Sequence, residues 1–263
     1  MDSFSKFSII LQIHRILVPM SVDVELNCDL GEGMPNDEAI MPYLGSCNIA
    51  AGGHAGNVHS ISQTIKLAKK HQVKIGAHPS YPDRANFGRI PMDLPFPQLQ
   101  KSLIHQIDLI NTVAAKENLE LNHIKFHGAL YLMSLSSQKL AQQLAQLIAT
   151  RYKGLALYAP YGSFMAKEAL LHDIPVKYEG FADRAYLDGS TLASRKEAGS
   201  LLTNLDTIKS QVLSMIKSGI ISTIDQKEYT IKVNTICIHG DHPKALEIAQ
   251  TLAPIIQTRK NDR

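Results

Sequence analysis

The stretch VHSISQTIKLAKKHQVKIGAHP, from Val58 to Pro79, decides the fold. Its first half carries Ile61, Ile65 and Ala68 at spacings of four and three, with lysines and polar residues between, so Val58 to Lys70 reads as an amphipathic helix. Its second half changes period. Val73–Ala77 is a short apolar run, a strand, that stops at His78-Pro79. A proline biases the residue before it toward extended backbone, which suits His78 to a strand end pointing inward.

The same cycle repeats in both directions. Upstream, Val24–Cys28 stops at Asp29-Leu-Gly-Glu-Gly33, and Cys47–Ala51 ends in Gly52-Gly53-His54. Downstream, Pro97 to Leu119 reads as a long helix with Leu99, Leu103, Ile107, Ile110 and Ala114 on one face. Ile124–Phe126 runs into His127-Gly128, Gln138–Tyr152 is helical, Leu155–Ala159 is a strand, and Ser163–His172 is a short helix. Val176–Glu179 leads into Gly180-Phe-Ala-Asp-Arg184, and Leu205–Gly219 is helical, with Gly219 suited to a C-terminal cap. Val233–Ile238 ends in His239-Gly240-Asp241, and Pro243–Ile256 is a final helix. Repeated βα alternation implies a parallel sheet with right-handed crossovers. The fold class is α/β, and about seven strands suit a single parallel β/α barrel over residues 21–263; an open doubly wound sheet is the alternative. Leu94–Pro97 and Asp183–Thr203 are the expected excursions, neither long enough for a separate domain.

Composition narrows the function. Of 263 residues, 44% are hydrophobic and 19% charged, which are globular values and exclude disorder. A formal net charge of +3 is too weak to imply a nucleic-acid partner. Three cysteines, an odd number, argue against a disulfide framework, and Cys28, Cys47 and Cys237 read as small core residues in strands. Phe4–Val18 is broken by Lys6, His14 and Arg15, too short and polar to span a bilayer and poor as a secretory signal. Met20 stands directly before Ser21-Val-Asp-Val-Glu-Leu26, so residues 1–20 read as an N-terminal extension with Met20 as the expected start. A helix closing the barrel bottom is the rival reading of that segment. The cytoplasm is the expected compartment, with no membrane partner. A homo-oligomer stays open.

Eleven histidines beside no tryptophan are the unusual feature. Nearly every strand ends in a glycine-containing turn bearing an acid, a histidine or a cation: Asp29 and Glu32; His54 and Asn57; His78, Asp83 and Arg84; Lys125 and His127; Asp183 and Arg184; His239 and Asp241. In a parallel α/β architecture these turns share one face, so the groups converge. Lys125 and His127 alternate with Phe126 and so point to one side, and a buried Lys-His pair is costly unless used. Each has a plainer reading. Turn chemistry alone accounts for Asp29, a helix start at Asn36 for Glu32, and local ion pairs for Asp83-Arg84 and Asp183-Arg184. His14, His71, His105, His123, His172 and His242 read as surface or helix-packing residues. P-loop, nucleophile-elbow and zincin motifs are absent. A strand-end cluster of His and Asp suits a divalent metal, but ligands from separate loops leave its identity open.

The ordered set Asn27-Cys-Asp-Leu-Gly-Glu-Gly33, Asn48-Ile-Ala-Ala-Gly-Gly-His-Ala-Gly56, Ile75-Gly-Ala-His-Pro-Ser-Tyr-Pro-Asp-Arg84, Asn86-Phe-Gly-Arg89, Lys125-Phe-His-Gly128, Phe181-Ala-Asp-Arg184 and Cys237-Ile-His-Gly-Asp241 resembles the LamB/YcsF (lactam utilisation) family, from about Val22 to Ala253. The resemblance implies a barrel related to glycoside hydrolase and deacetylase barrels. It also implies ATP-dependent opening of 5-oxoproline to L-glutamate, in concert with B- and C-type 5-oxoprolinase partner subunits. The matching polar positions coincide with the strand-end groups. Asp29, Glu32, His54, Lys125 and His127 are the catalytic candidates; His78, Asp83, Arg84, Asp183, Arg184, His239 and Asp241 are the substrate-binding candidates. Several departures bear on activity. Gly53 replaces a bulky residue, which would loosen the His54 loop; Asn57 replaces an acid, which removes a charge beside His54; Phe126 replaces a proline; Glu25 replaces a commoner Asp. The chain lacks an ATP motif, which fits nucleotide chemistry supplied with partners. Two other readings stay open: a metal-dependent C–N hydrolase or deacetylase acting alone, with Asp29 and His54 among the ligands, and a non-catalytic lactam-binding subunit.

Overall fold

The computed structural model describes residues 24–261, so the N-terminal extension and the start at Met20 lie outside the described residues. Six strands come first: β1 (Glu25–Leu30), β2 (Ser46–Ala50), β3 (Lys74–His78), β4 (Leu121–Ile124), β5 (Ala156–Ala159) and β6 (Val176–Phe181). A two-stranded antiparallel hairpin, β7 (Ile220–Ser222) and β8 (Glu228–Thr230), precedes β9 (Thr235–Ile238). Strands β1 to β6 and β9 are parallel and close into a seven-stranded barrel, with β9 pairing both β6 and β1. The helices are α1 (Asp37–Ile40), α2 (Val58–His71), α3 (Phe96–Lys116), α4 (Gly128–Ser136), α5 (Gln138–Arg151), α6 (Phe164–Leu171), α7 (Leu205–Ser218) and α8 (Ala245–Asn261). Barrel closure decides for the β/α barrel over the open sheet.

Period-two alternation sorts each strand into an outer and an inner face. Leu26, Cys28, Leu30, Cys47, Ile49, Ile75, Ile124, Leu157, Ile236 and Ile238 are buried in one apolar cluster with the helix faces. Ile61, Ile65 and Ala68 of α2, and Leu99, Leu103, Ile107 and Ile110 of α3, belong to it. The inner face is polar. The Asn27 amide donates to Thr235 Oγ1 at 2.7 Å, and the Asn48 amide donates to Asn27 Oδ1 and Asp29 Oδ1, both at 2.8 Å. Below them, the Tyr158 hydroxyl donates to Glu25 Oε1 at 2.9 Å. A hydrogen-bonded network fills this barrel where branched apolar layers are the commoner solution.

Two histidines depart from the surface or helix-packing reading. His123 is fully buried inside the barrel, where Nε2 pairs with Asn48 Oδ1 at 2.7 Å and the ring stacks on Tyr158 at 3.9 Å. His242 is buried with Nε2 donating to Leu202 O. The Gly53 departure does not loosen the loop. A Cβ at Gly53 would stand 2.4 Å from Gln106 Oε1 and 2.5 Å from Ser80 Oγ, so the space is already filled. Asn57 forms a capping box with Ser60 at the start of α2. The segment after Asp183 carries isolated bridges, Arg184 to Leu201 and Tyr186 to Leu192, and is tied to the hairpin through Tyr186 and Thr223.

Candidate active site

The strand C-termini converge as the alternation requires. Asp29 ends β1, and the chain then turns through Gly31 and Gly33, at φ +76° and +89°, a left-handed region that favours glycine. The turn brings Glu32 back beside the imidazoles. The ladder between β3 and β4 runs past the end of β4: Lys125 N donates to Ala77 O and His127 N donates to Pro79 O. Lys125 and His127 therefore keep the inward face and Phe126 the buried outer one.

Lys125 lies between two carboxylates. Its Nζ is 2.9 Å from Asp29 Oδ1 and 2.9 Å from Glu179 Oε1, and 3.1 Å from Cys237 Sγ. Burial disfavours the ammonium, but Asp29 and Glu179 more than offset it and hold Lys125 well above the usual lysine range. Burial likewise raises Asp29, yet His78 and Lys125 outweigh it and keep that carboxyl well below the usual range. The Tyr131 hydroxyl on α4 donates to Glu179 Oε2 at 2.8 Å.

Above this pair stand three imidazoles. His78 Nδ1 is 2.8 Å from Lys125 O and His127 Nε2 is 2.9 Å from Phe87 O. A carbonyl only accepts, so each of those nitrogens carries a hydrogen. The remaining nitrogens, His78 Nε2 and His127 Nδ1, face each other at 3.0 Å, a contact that requires a shared proton or a cation between them. His54 stacks on His127 at 3.6 Å between ring centroids, and its Nε2 is 2.9 Å from Glu32 Oε1. Burial, then the charge at His78, lowers His54 to about 2; the same two causes and His54 lower His127 well below the usual range. Burial and the neighbouring Asp29 raise Glu32 to about 7. Two adjacent carboxyls are thus pushed apart, one held well below the usual carboxylate range and one raised to about 7, a pattern that marks acid–base sites. The Asn86–Arg89 loop closes over the trio. A Cβ at Gly128, where φ is +54°, would stand 2.5 Å from Gly88 O, so this approach requires glycine. Phe87 then meets His54 and His127 edge-on, at 5.2 and 5.4 Å.

The other candidates divide. Asp183 Oδ1 pairs with His239 Nδ1 at 2.8 Å and Oδ2 accepts from His239 N at 3.1 Å, so this acid orients the imidazole at the rim. Asp241 accepts from Arg89 Nη2 at 2.5 Å and Arg195 Nη1 at 2.9 Å. Three candidates sit apart from the cluster. Asp83 accepts from Asn86 within its own loop. Arg84 is exposed and its Nη1 donates to Gly52 O and Gly56 O, tying the neighbouring turn. Arg184 is buried and donates to Ser200 O and Ala193 O. Neither Asp83-Arg84 nor Asp183-Arg184 forms the local ion pair that sequence adjacency suggested. Glu179, Asn27, Asn48, Arg89 and Arg195 join the site without having been singled out as candidates; Arg89 lay in plain view in Asn86-Phe-Gly-Arg89.

A metal-donor set is present. One ligand atom each from Glu32, His54, His78 and His127 lies within 4.8 Å of the others, and Asp29, Cys237 and His239 form a second such group. The first suits an imidazole-favouring divalent ion, with His78 and His127 already oriented by carbonyls. In the second, burial keeps the Cys237 thiol protonated, which makes it a poor ligand. His54 Nδ1 is buried with no hydrogen-bond partner among the described residues.

Fold and site together define a β/α-barrel enzyme with an acid–imidazole–lysine centre at the strand C-termini. Residues 24–262 match the LamB/YcsF family model, and the chain belongs to that family. It is 38% identical over 239 residues to the 5-oxoprolinase A subunit of Pyrococcus abyssi, covering 89% of this chain and 94% of that one. It is 37% identical over 238 residues to the 5-oxoprolinase A subunit of Staphylococcus aureus strain JH9, covering 89% and 95%. The crystal structure of a lactam utilization protein from Thermus thermophilus superposes with a TM-score of 0.83 at 32% identity, covering 90% of this chain and 97% of that one. Among the described residues, no helix is long and apolar enough to cross a membrane.

Proposed function

We propose that this chain is the A-type subunit of an ATP-dependent, cytoplasmic 5-oxoprolinase, opening 5-oxo-L-proline to L-glutamate with B- and C-type partner subunits. The observation that carries the reading is Lys125, locked between Asp29 and Glu179 directly beneath three buried imidazoles and Glu32. An unstrained lactam is a resonance-stabilised amide. Transfer of a phosphoryl group from ATP to its oxygen makes the ring carbon electrophilic. Water then adds to that carbon, the C–N bond breaks, and the nitrogen leaves as an amine after taking a proton. A second water releases phosphate from the resulting acyl phosphate. With no cation bound there, Glu32 with His54 or His127 positions and deprotonates the attacking water, a role that suits imidazoles kept neutral by burial. The Lys125 ammonium, held ionised, stabilises the developing oxyanion. His78, His239 and the rim groups line the substrate. The partner subunits supply or complete the nucleotide site.

Glu32, His54, His78 and His127 would hold a divalent cation, and such an ion would polarise the lactam oxygen or a water when bound. Metal analysis after purification without chelators, followed by chelation, tests this: about one equivalent per chain is expected, abolished by His78→Ala. The function itself is tested by reconstitution. Glutamate release from 5-oxoproline is expected only when this chain, the partner subunits and ATP are all present. Ring opening by this chain alone after metal loading would favour the metal-dependent hydrolase instead.

A further inference from the structure

The reacting groups at the barrel centre carry no spare cation for a substrate carboxylate. Lys125 is already balanced by Asp29 and Glu179, and Arg84 and Arg184 are committed to backbone carbonyls. The rim is different. Arg89, from the β3–α3 loop, and Arg195, from the segment before α7, both reach one oxygen of Asp241, from the loop after β9. Two guanidinium groups held side by side by one carboxylate leave one positive charge unbalanced. Each arginine side chain stays partly open, at 40% and 34%, while Asp241 is 18% exposed. The Arg89 guanidinium lies 4.7 Å above the Phe87 ring, and that ring packs edge-on against His54 and His127. The charge is thus one aromatic ring away from the imidazoles.

We infer that Arg89 and Arg195 form the clamp for the substrate's α-carboxylate, with Asp241 holding the two in register. This deepens the 5-oxoprolinase reading and rests on it. The carboxylate and the lactam carbonyl of 5-oxoproline flank the ring nitrogen on opposite sides. Anchoring the first at the rim turns the second inward, toward Lys125 and the imidazoles. Guanidinium groups suit this role because their N–H donors match carboxylate geometry, and each has donors left beyond those given to Asp241. The clamp therefore selects lactams that bear an acid beside the nitrogen.

The test compares 5-oxoproline with 2-pyrrolidinone, the same lactam without the carboxylate, in the complex reconstituted with its partner subunits and ATP. Arg89→Gln and Arg195→Gln are each expected to raise KM for 5-oxoproline about tenfold to a hundredfold, with kcat falling far less. Inhibition of the reaction by 2-pyrrolidinone should keep the same Ki in both variants, and Arg89→Lys should recover part of the loss. Thermal melts matching the parent protein confirm folding. Unchanged KM in both variants, or an equal weakening toward both lactams, overturns the clamp while leaving the 5-oxoprolinase reading standing. A parent complex that releases no glutamate removes that reading and the clamp with it.

Discussion

Lys125 shows how one buried cation organises a site. Its ammonium is compensated by two buried carboxylates, and removing it leaves both without their cation. Lys125→Met is expected to cost about 3–5 kcal/mol of stability, read from denaturant unfolding, and to abolish turnover. Replacing Glu179 as well, with Gln, should recover part of the stability and none of the activity. In the proposed mechanism Glu32 supplies the pH dependence. Its carboxyl is raised to about 7, so it is protonated and unable to accept a proton below that value. With the cation removed by chelation, the rate of glutamate release is expected to rise with pH through about 7, because no metal then holds Glu32 ionised. In Glu32→Gln that rise should vanish along with most of the rate; an unchanged acid limb would assign it to another group.

At the scale of the element, the backbone of β3 makes room for the polar core. A Cβ at Gly76 would lie 2.2 Å from His123 Nε2, and the ring is already stacked on Tyr158 and bonded to Asn48. Gly76→Ala is expected to destabilise the barrel by about 1–3 kcal/mol, seen as a lowered denaturation midpoint. A midpoint equal to the parent's would show that the imidazole can retreat. The alternation of short runs and amphipathic helices made the barrel legible, and glycine-rich strand ends marked the cluster. What escaped did so for physical reasons. Helix α4 buries Ala129, Leu130, Tyr131 and Leu135 yet also exposes Leu132, so no polar stripe marks its period. Hairpin strand β8 is short and exposed throughout, with no apolar face to announce it. His123 was legible in principle: the period-two alternation that turned Lys125 and His127 inward, run two residues back, turns His123 inward too. Glu179 had no such neighbour. Only the folded barrel sets it opposite Lys125, from a strand distant in sequence. The arginines show the same limit, because adjacency to an acid in sequence did not reveal which guanidinium groups reach the rim.

Across the whole molecule, the polar interior joins the rim of the candidate site to a structural floor. At that floor Glu25 accepts from Lys74 at 2.9 Å, Lys177 at 2.7 Å and Tyr158 at 2.9 Å, tying β1, β3, β5 and β6 together. Burial pushes its carboxyl up, but Lys177 and Lys74 outweigh that and bring it from 4.5 down to about 2. A folded value below the unfolded one means that stabilisation is complete above about pH 4.5 and drains away as pH falls toward 2. The shift corresponds to about 3 kcal/mol. Urea unfolding across that window should show this loss, and Glu25→Gln should flatten it while lowering stability at neutral pH.

The central claim is that this chain's own barrel mouth opens the lactam ring. It is tested most directly by the rate of ATP-dependent glutamate release from 5-oxoproline in the reconstituted complex, with this chain carrying Asp29→Asn or His127→Ala. Each substitution is expected to lower the rate about a hundredfold or more, with the complex still assembled. Full activity in both variants would contradict the account and move the chemistry to the partner subunits.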